Sequence, residues 1–226
     1  MSLALFDLDD TLLDGDSDRL WTDYLFDRGI LDANLHREKM DDFDRQYHAG
    51  ALDAAQYLCF SLDLLSQIPT GELLRLRDDF LRTVISPRIS AAARSLLAKH
   101  RSAGHTLVII TLTNRFVSEP IAAELGVDAL LATVPEMSHG QLTGRIVGEP
   151  CYQLGKIAHL QAWMEKRGEN LDNSYFYSDS MNDLPLLEAV SCPVVVNPDA
   201  TLEKVARTRG WLIMKMNAER PEQTGP

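Results

Sequence analysis

A short apolar segment near the start of the chain runs directly into a group of carboxylates. Residues 3–6 read Leu-Ala-Leu-Phe, and Asp7, Asp9 and Asp10 follow with no basic residue nearby. Acids this close together repel one another and resist burial, so either bulk water or a bound cation must offset the cost. Carboxylate oxygens without paired histidines or cysteines favour a hard ion such as Mg²⁺.

Polar side chains also follow two later apolar segments, 107–110 and 175–177. After the first come Thr111, Thr113 and Asn114, and after the second come Asp179, Asn182 and Asp183. Ligand sites in open α/β sheets lie beyond the carboxyl ends of the strands, so parallel pairing would bring these side chains to the acids at residues 7–10. Lys156, near the start of a predicted helix, adds one cation.

A site of this composition suits a phosphoryl group. A lysine and a threonine hydroxyl supply charge neutralisation and a hydrogen-bond donor. Of two aspartates at i and i+2, one could attack phosphorus while the other handles protons. Each residue alone also has an ordinary interpretation: a solvated turn for Asp7 and Asp9, a surface lysine for Lys156, a helix cap for Asp179. Their order and placement together favour phosphoryl transfer.

The apolar pattern predicts an α/β fold with a doubly wound, mostly parallel sheet. Short apolar runs at 3–6, 107–110, 129–132, 175–177 and 194–196 alternate with segments of helical periodicity. A last edge strand is predicted near 211–214, and a hairpin over 137–147 with its turn at 138–141. Ser86 at the cap, Pro87 in the first turn and Gly104 after the end predict one helix, which carries Ile89 at core spacing.

One long segment breaks this alternation. Residues 17–85 contain helical patterns and no convincing strand, and about seventy residues is too long for a crossover connection. We therefore predict a core of residues 1–16 and 86–220, an inserted helical subdomain at 17–85, and a flexible tail at 221–226.

Composition excludes several classes of partner. The chain has 226 residues and a formal net charge of −11, which disfavours nucleic acid and anionic membranes. Its three cysteines are scattered without metal-binding spacing, and no long apolar run or signal sequence is visible. We expect a cytoplasmic protein, a monomer or homodimer, that binds a small molecule.

Four motifs resemble those of the haloacid dehalogenase (HAD) superfamily of phosphatases. They are FDLDDT at 6–11, IITLTN at 109–114, GK at 155–156 and SDSMND at 178–183. The match is closest to subfamily IB, which contains phosphoserine phosphatases and bacterial histidinol-phosphate phosphatases. The resemblance implies a Rossmann-like core, a helical cap inserted after the first strand, a Mg²⁺ cofactor and an aspartyl-phosphate intermediate.

The resemblance also implies a role for each motif residue. Asp7 would be the nucleophile, and Asp9 would be the general acid and then the base. Thr111 and Asn182 would contact the phosphate, and Lys156 would neutralise its charge. Asp179 would complete a Mg²⁺ site with Asp7 and Asp9, and Asp183 and Thr11 would be supporting residues. An acid at position 9 favours phosphate-ester hydrolysis over dehalogenation, because the leaving alkoxide needs a proton.

Departures from the pattern concern the substrate. Phosphoserine phosphatases usually carry Ser-Gly-Gly where this chain has Thr111-Leu112-Thr113, and a glutamate for the substrate amine where it has Asp16. Residues 16–85 hold fourteen acids and eight Lys or Arg residues, which disfavours a highly anionic sugar phosphate. Arg45 could bind a substrate carboxylate or pair with a neighbouring acid, and we expect Tyr47 and Tyr57 to be packing residues.

We therefore predict a phosphomonoester hydrolase for a small amine-bearing metabolite such as histidinol phosphate or phosphoserine. Three alternatives remain: a phosphorelay receiver, a non-catalytic phosphate-binding protein, and a phosphomutase. A receiver places its phosphorylated aspartate on a middle strand and has no use for an inserted cap, whereas a mutase would return an isomer instead of free phosphate.

Overall fold

The computed structural model describes residues 2–216, which contain a seven-stranded sheet in the order β4-β3-β2-β1-β5-β6-β7. The strands are β1 (Leu3–Phe6), β2 (Thr106–Asn114), β3 (Ala129–Ser138), β4 (Gln141–Val147), β5 (Tyr175–Ser178), β6 (Cys192–Val196) and β7 (Leu212–Met214). All neighbouring pairs are parallel except β3 with β4. The predicted doubly wound, mostly parallel sheet is confirmed.

The position of β1 at the centre of the sheet explains why residues 3–6 form an unbroken apolar run. All four of its residues are fully buried, because helices cover both faces of the sheet. Phe6 and Ile109 point into one core cluster, and Leu5 and Val108 point into the other. This alternation is the two-residue period of a strand.

Nine α-helices lie within the described residues. They are α1 (Ser17–Asp27), α2 (Ala33–His48), α3 (Ala54–Ser66), α4 (Thr70–Phe80), α5 (Ala91–Ser102), α6 (Arg115–Leu125), α7 (Leu154–Arg167), α8 (Leu184–Ala189) and α9 (Ala200–Arg209). Residues 17–85, all of them described, contain α1 to α4 and a π-helical turn at Leu81–Ile85, with no strand. The inserted helical cap is therefore present; the residue boundaries that we assigned to it stay a prediction.

The cap rests on the predicted hairpin, which the structure confirms as β3 and β4 joined at His139 and Gly140. Helix α3 packs along β4. A side chain at Gly144 would press on the backbone of Asp63, and its φ of +80° also favours glycine. Gly144 therefore allows the close approach of α3 to the hairpin.

The predicted start of one helix was wrong. Ser86–Arg88 form a short 3₁₀ turn, and α5 begins at Ala91, where the hydroxyl of Ser90 accepts a hydrogen bond from the Ala93 N–H at 3.0 Å. Ile89 lies before the helix and forms an isolated bridge with Leu13. Pro87 suits either kind of first turn, so the proline signal did not distinguish the two starts.

The strand β2 is longer than its apolar run. It continues through Asn114, so Thr111 lies inside the strand and not after it. The predicted edge strand near the end is confirmed as β7, and the predicted tail at 221–226 lies outside the described residues. Across residues 2–216, no helix combines the length and apolar character needed to cross a lipid bilayer.

Candidate active site

Three adjacent strands bring the sequence motifs together. Because β2 and β5 flank β1, Thr111, Asp7 and Asp179 meet at the carboxyl edge of the sheet. A cavity of about 210 Å³ lies between this edge and the cap helices, and Asp7, Asp9, Thr111 and Lys156 line it. The strand order therefore produces the convergence that the motifs predicted.

Lys156 joins two acids from opposite ends of the chain. Its Nζ donates to Oδ1 of Asp7 at 2.7 Å and to Oδ2 of Asp183 at 2.8 Å. The Ser178 hydroxyl donates to the same oxygen of Asp183 at 2.7 Å. All four side chains are buried. Asp183 thus holds Lys156 in place, while the hydrogen bond on Asp7 leaves its Oδ2 available for chemistry.

The residue before Lys156 determines where the lysine can lie. A side chain at position 155 would collide with the carbonyl oxygen of Pro150, so only glycine fits this turn. The N–H of Gly155 donates to the carbonyl of Tyr152 at 2.7 Å, and α7 starts there. Packing therefore requires glycine at position 155, and the turn that it allows places Lys156 in contact with Asp7.

Burial and like charges shift the pKa values in this cluster. Burial raises the pKa of Asp7 to about 7, although Lys156 opposes the shift. Burial also raises the pKa of Asp179 well above its usual range, and Asp7 adds to that rise. For Lys156, burial works to lower the pKa, but Asp183 and Asp7 outweigh it and keep the pKa high. One lysine does not offset the surrounding carboxylates, so the cluster would gain from a further cation.

Asp179 is tied to the loop that follows β1. The Thr11 hydroxyl donates to Oδ1 of Asp179 at 3.1 Å, and the N–H of Asp179 donates back to the same hydroxyl. This reciprocal pair links the first and last motifs. Thr11 lies where a residue supporting the loop was predicted.

The carboxylate of Asp9 is held on both oxygens. Oδ1 accepts a hydrogen bond from the backbone N–H of Ser17 at 2.7 Å. Oδ2 accepts from the hydroxyls of Thr113 at 2.8 Å and Thr111 at 3.3 Å. The orientation of Asp9 therefore depends on the first residue of the cap and on two threonines of β2.

Asn182 contacts the cap as well as the cavity. Its Nδ2 donates to the backbone carbonyl of Tyr47 at 3.2 Å, and its Oδ1 accepts from Gln153 at 3.2 Å. The Tyr47 hydroxyl donates to Oγ of Ser180 at 3.2 Å. Tyr47 therefore reaches across the site from the end of α2, which differs from the packing role that we expected.

Two acids at the start of α1 also line the cavity. Asp16 caps the helix by accepting from the Arg19 N–H at 2.8 Å. Asp18 accepts hydrogen bonds from Asn114 at 3.0 Å and from the Tyr57 hydroxyl at 3.3 Å. Burial raises the pKa of Asp18 to about 7, and the nearby Asp9 contributes. Asp18 has no ion pair with a cation among the described residues.

The structure does not bring Arg45 to the site. Its side chain is 67% exposed and pairs with Asp42 at 3.1 Å, outside the cavity. Arg19 from α1 lines the cavity instead. The Arg19 guanidinium forms ion pairs with three carboxylates, those of Asp23, Asp41 and Asp44.

Helical geometry explains this correction. Asp44, Tyr47 and His48 line the cavity, and their spacing of three and four residues puts them on one face of α2. Arg45 lies about 100° around the helix from Asp44. Applying the helical period to this segment would have identified the inward face, but Asp18 carried no comparable sequence signal.

Comparison with known proteins identifies the family of the chain. The family described as haloacid dehalogenase-like hydrolase matches residues 4–188. A histidinol-phosphatase of Neisseria meningitidis is 41% identical over 217 residues, which cover 94% of this chain and 98% of that protein. A phosphoserine phosphatase of Mycobacterium tuberculosis is 32% identical over 93% of this chain and 69% of its own length.

A solved structure shows the same fold over nearly the whole chain. It is a protein of unknown function from Bordetella pertussis, with a TM-score of 0.90, 41% identity, and coverage of 96% of this chain and 99% of that chain. The resemblance that the four motifs suggested is thus confirmed. The chain belongs to the haloacid dehalogenase-like hydrolase family and is a phosphatase of that family.

Proposed function

We propose that the protein hydrolyses a small amine-bearing phosphomonoester through an aspartyl phosphate on Asp7, with Mg²⁺ as cofactor. The observation that carries this proposal is the placement of Asp7 and Asp9 in one cavity. Asp7 is paired with buried Lys156, and Asp9 is held by neutral donors. Two carboxylates in such different surroundings suit two different tasks.

The two tasks follow from the contacts. Oδ2 of Asp7 attacks phosphorus while Lys156 offsets the charge on the transferring group. Asp9 gives a proton to the departing alkoxide and later takes one from the attacking water. The Thr111 hydroxyl is held only by a long hydrogen bond of 3.3 Å to Asp9, so it can turn toward a phosphate oxygen. Asn182 beside the cavity would contact the same group.

The donor set fits Mg²⁺. Among the described residues, no three side chains of His, Cys, Asp or Glu are arranged to hold a metal by themselves. Mg²⁺ in proteins often takes one or two carboxylates and completes its shell with water and substrate phosphate. Asp7, Asp179 and the main-chain carbonyl of Asp9 would hold it. Burial raises the pKa of both side chains, and a bound cation would favour their charged forms. The ion would supply Lewis-acid charge for the phosphoryl group.

The cap side of the cavity suits a cationic substrate group. Asp16 and Asp18 face it without a cation of their own among the described contacts, while Phe43 and Tyr57 add aromatic walls. An ammonium or imidazolium group there would offset buried negative charge. Asp16 is the residue that we predicted would bind the substrate amine.

The same cavity disfavours a substrate carboxylate. In the described part of the chain its lining contains two permanently charged cations, Arg19 and Lys156. Three acids engage Arg19 and two engage Lys156, so neither is available. This favours histidinol phosphate, which lacks a carboxylate, over phosphoserine. The three separate free cysteines agree with our proposal of a cytoplasmic location.

Phosphate release in the presence of Mg²⁺ tests the proposal. The panel contains histidinol phosphate, phosphoserine, ethanolamine phosphate, and an amine-free sugar phosphate. We expect a kcat/KM of roughly 10⁴ M⁻¹s⁻¹ or better for an amine-bearing ester without a carboxylate. Comparable turnover of the amine-free sugar phosphate would contradict the substrate class. An isomer in place of free phosphate would identify a mutase.

A further inference from the structure

The hydroxyl of Thr113 sits between the cap and Asp9. Thr113 lies in β2, two residues after Thr111, and is 3% exposed. Its hydroxyl donates to Oδ2 of Asp9 at 2.8 Å and accepts a hydrogen bond from the Ser17 hydroxyl at 3.3 Å. Ser17 also donates its backbone N–H to Oδ1 of Asp9. A closed ring of contacts thus fixes the plane of the Asp9 carboxyl group.

Thr113 makes the closest side-chain contact in this ring. The hydroxyl of Thr111 approaches the same oxygen only to 3.3 Å, which is longer than the 2.8 Å contact of Thr113. Thr111 also accepts the Thr113 N–H at 3.2 Å. Rotation of Thr111 toward a phosphate would leave Thr113 as the side chain that orients Oδ2. A valine at position 113 would keep the volume and remove this contact, together with the longer hydrogen bond from the Ser17 hydroxyl.

We propose that Thr113 is a positioning residue that orients Asp9 for proton transfer, an inference that rests on the proposed function. In the first step Asp7 forms a bond to phosphorus, the bond from phosphorus to the alkoxide oxygen breaks, and the proton of Asp9 passes to that oxygen. In the second step water attacks phosphorus, its proton passes to Asp9, and Asp7 is released with inorganic phosphate. Both transfers need the carboxyl plane to face the reacting oxygen.

Leaving groups of different basicity separate this role from simple packing. An alkyl phosphate needs a proton on its leaving oxygen, whereas p-nitrophenyl phosphate releases a stable phenolate without one. The value of kcat/KM reports the steps up to formation of the aspartyl phosphate. A defect in Asp9 orientation therefore lowers kcat/KM for the alkyl ester much more than for the aryl ester.

The experiment compares wild-type enzyme with Thr113→Val, Thr113→Ser and the control Thr22→Val on these two esters. The alkyl ester is the best substrate of the panel. Thr22 is buried in α1, and its hydroxyl donates to the Asp18 carbonyl, away from Asp9. For Thr113→Val we expect a loss of about 10- to 100-fold on the alkyl ester, the range for one hydrogen bond to a charged group.

The activity on the aryl ester and the Thr113→Ser variant test whether Thr113 positions Asp9. We expect Thr113→Val to stay within about threefold of wild type on the aryl ester, and Thr113→Ser to recover the alkyl activity because it restores the donor. Equal losses on both esters, no loss on either, or failure of a folded Thr113→Ser to recover would overturn the positioning role. An inactive wild type would overturn the proposed function and this inference together.

Discussion

Nζ of Lys156 lies 2.7 Å from Oδ1 of Asp7 and 2.8 Å from Oδ2 of Asp183, and all three side chains are buried. The two carboxylates are 176 residues apart in the chain, so this contact joins the first and last motifs at one atom. Only carboxylate partners make a buried ammonium group tolerable. The same pairing engages Oδ1 of Asp7, which lines the cavity.

Replacing Lys156 with methionine should reduce both activity and stability. The change leaves two buried carboxylates without their cation, which costs on the order of 3–5 kcal/mol in the free energy of unfolding. Turnover should fall by on the order of 10²-fold or more, because the transferring group loses its neutralising charge. Urea unfolding and phosphate release measure the two effects. Lys166→Met on the exposed side of the same helix is the matched control, and an equal effect there would contradict the assignment.

The motifs and the mostly parallel sheet could be predicted because they depend on local patterns. The run at 3–6 is apolar throughout since β1 is buried on both faces, and Asp7 follows it directly. Parallel pairing then places Thr111 and Asp179 beside Asp7 without further information. The reactive side chains near the ends of parallel strands can therefore be predicted from the sequence alone.

The cap side of the site was harder to predict, because its contacts are set by packing between distant helices. Arg19 reaches its acid partners on α2 only after α1 and α2 pack together. Arg45 could have bound a substrate carboxylate, but it lies on the solvent-facing side of α2. Thr113 was expected near the acids as a polar residue after an apolar run, but no sequence pattern indicated that its hydroxyl would bind Asp9.

Removal of Mg²⁺ should abolish activity and lower thermal stability. Asp7 is buried, Asp179 is partly buried, and the two acids repel each other, so an added cation relieves the repulsion. We expect Mg²⁺ to raise Tm for wild type but much less for Asp179→Asn, as scanning calorimetry would measure. Ca²⁺ should fail to restore turnover after chelation, since it prefers longer bonds and a looser shell. Full activity in a chelator would contradict the metal assignment.

If Asp18 binds the amine of the substrate, removal of its charge should raise KM. Asp18→Asn keeps the size of the side chain and removes its charge, so KM for an amine-bearing ester should rise by roughly tenfold, as for the loss of one charged hydrogen bond. The amine-free sugar phosphate should be affected little. Arg45→Ala, on the exposed side of α2, is the control and should change neither substrate. A larger effect of Asp18→Asn on the amine-free ester would argue against this subsite.

Acid stability should depend on His100. Its Nε2 is 2.8 Å from the Tyr177 hydroxyl, and its Nδ1 is 2.8 Å from Nδ1 of His105. Burial, with the charges of His105 and Lys99, lowers the pKa of His100 from 6.5 to about 4. The unfolded chain therefore binds this proton more readily, and the free energy of unfolding falls as pH drops from 6.5 toward 4.

The variant His100→Gln should lose this dependence. We expect its urea midpoint to fall less than that of wild type between pH 7.5 and pH 4.5, a range of about three units that contains the unfolded pKa of 6.5 and approaches the folded value of about 4. His139→Asn, on the exposed hairpin turn, should behave like wild type. An unchanged pH dependence in His100→Gln would show that other groups control acid stability.

The most direct test of the central claim is phosphoryl transfer to Asp7. Enzyme is quenched with acid during turnover of the best amine-bearing ester, and the phosphorylated residue is located by mass spectrometry, with Asp7→Asn and Asp14→Asn in parallel. Asp14 follows in the same loop and lies outside the cavity. We predict a phosphoryl group on Asp7 in wild type and Asp14→Asn, and neither label nor phosphate release in Asp7→Asn. Turnover by Asp7→Asn, or a label on another residue, would contradict the account.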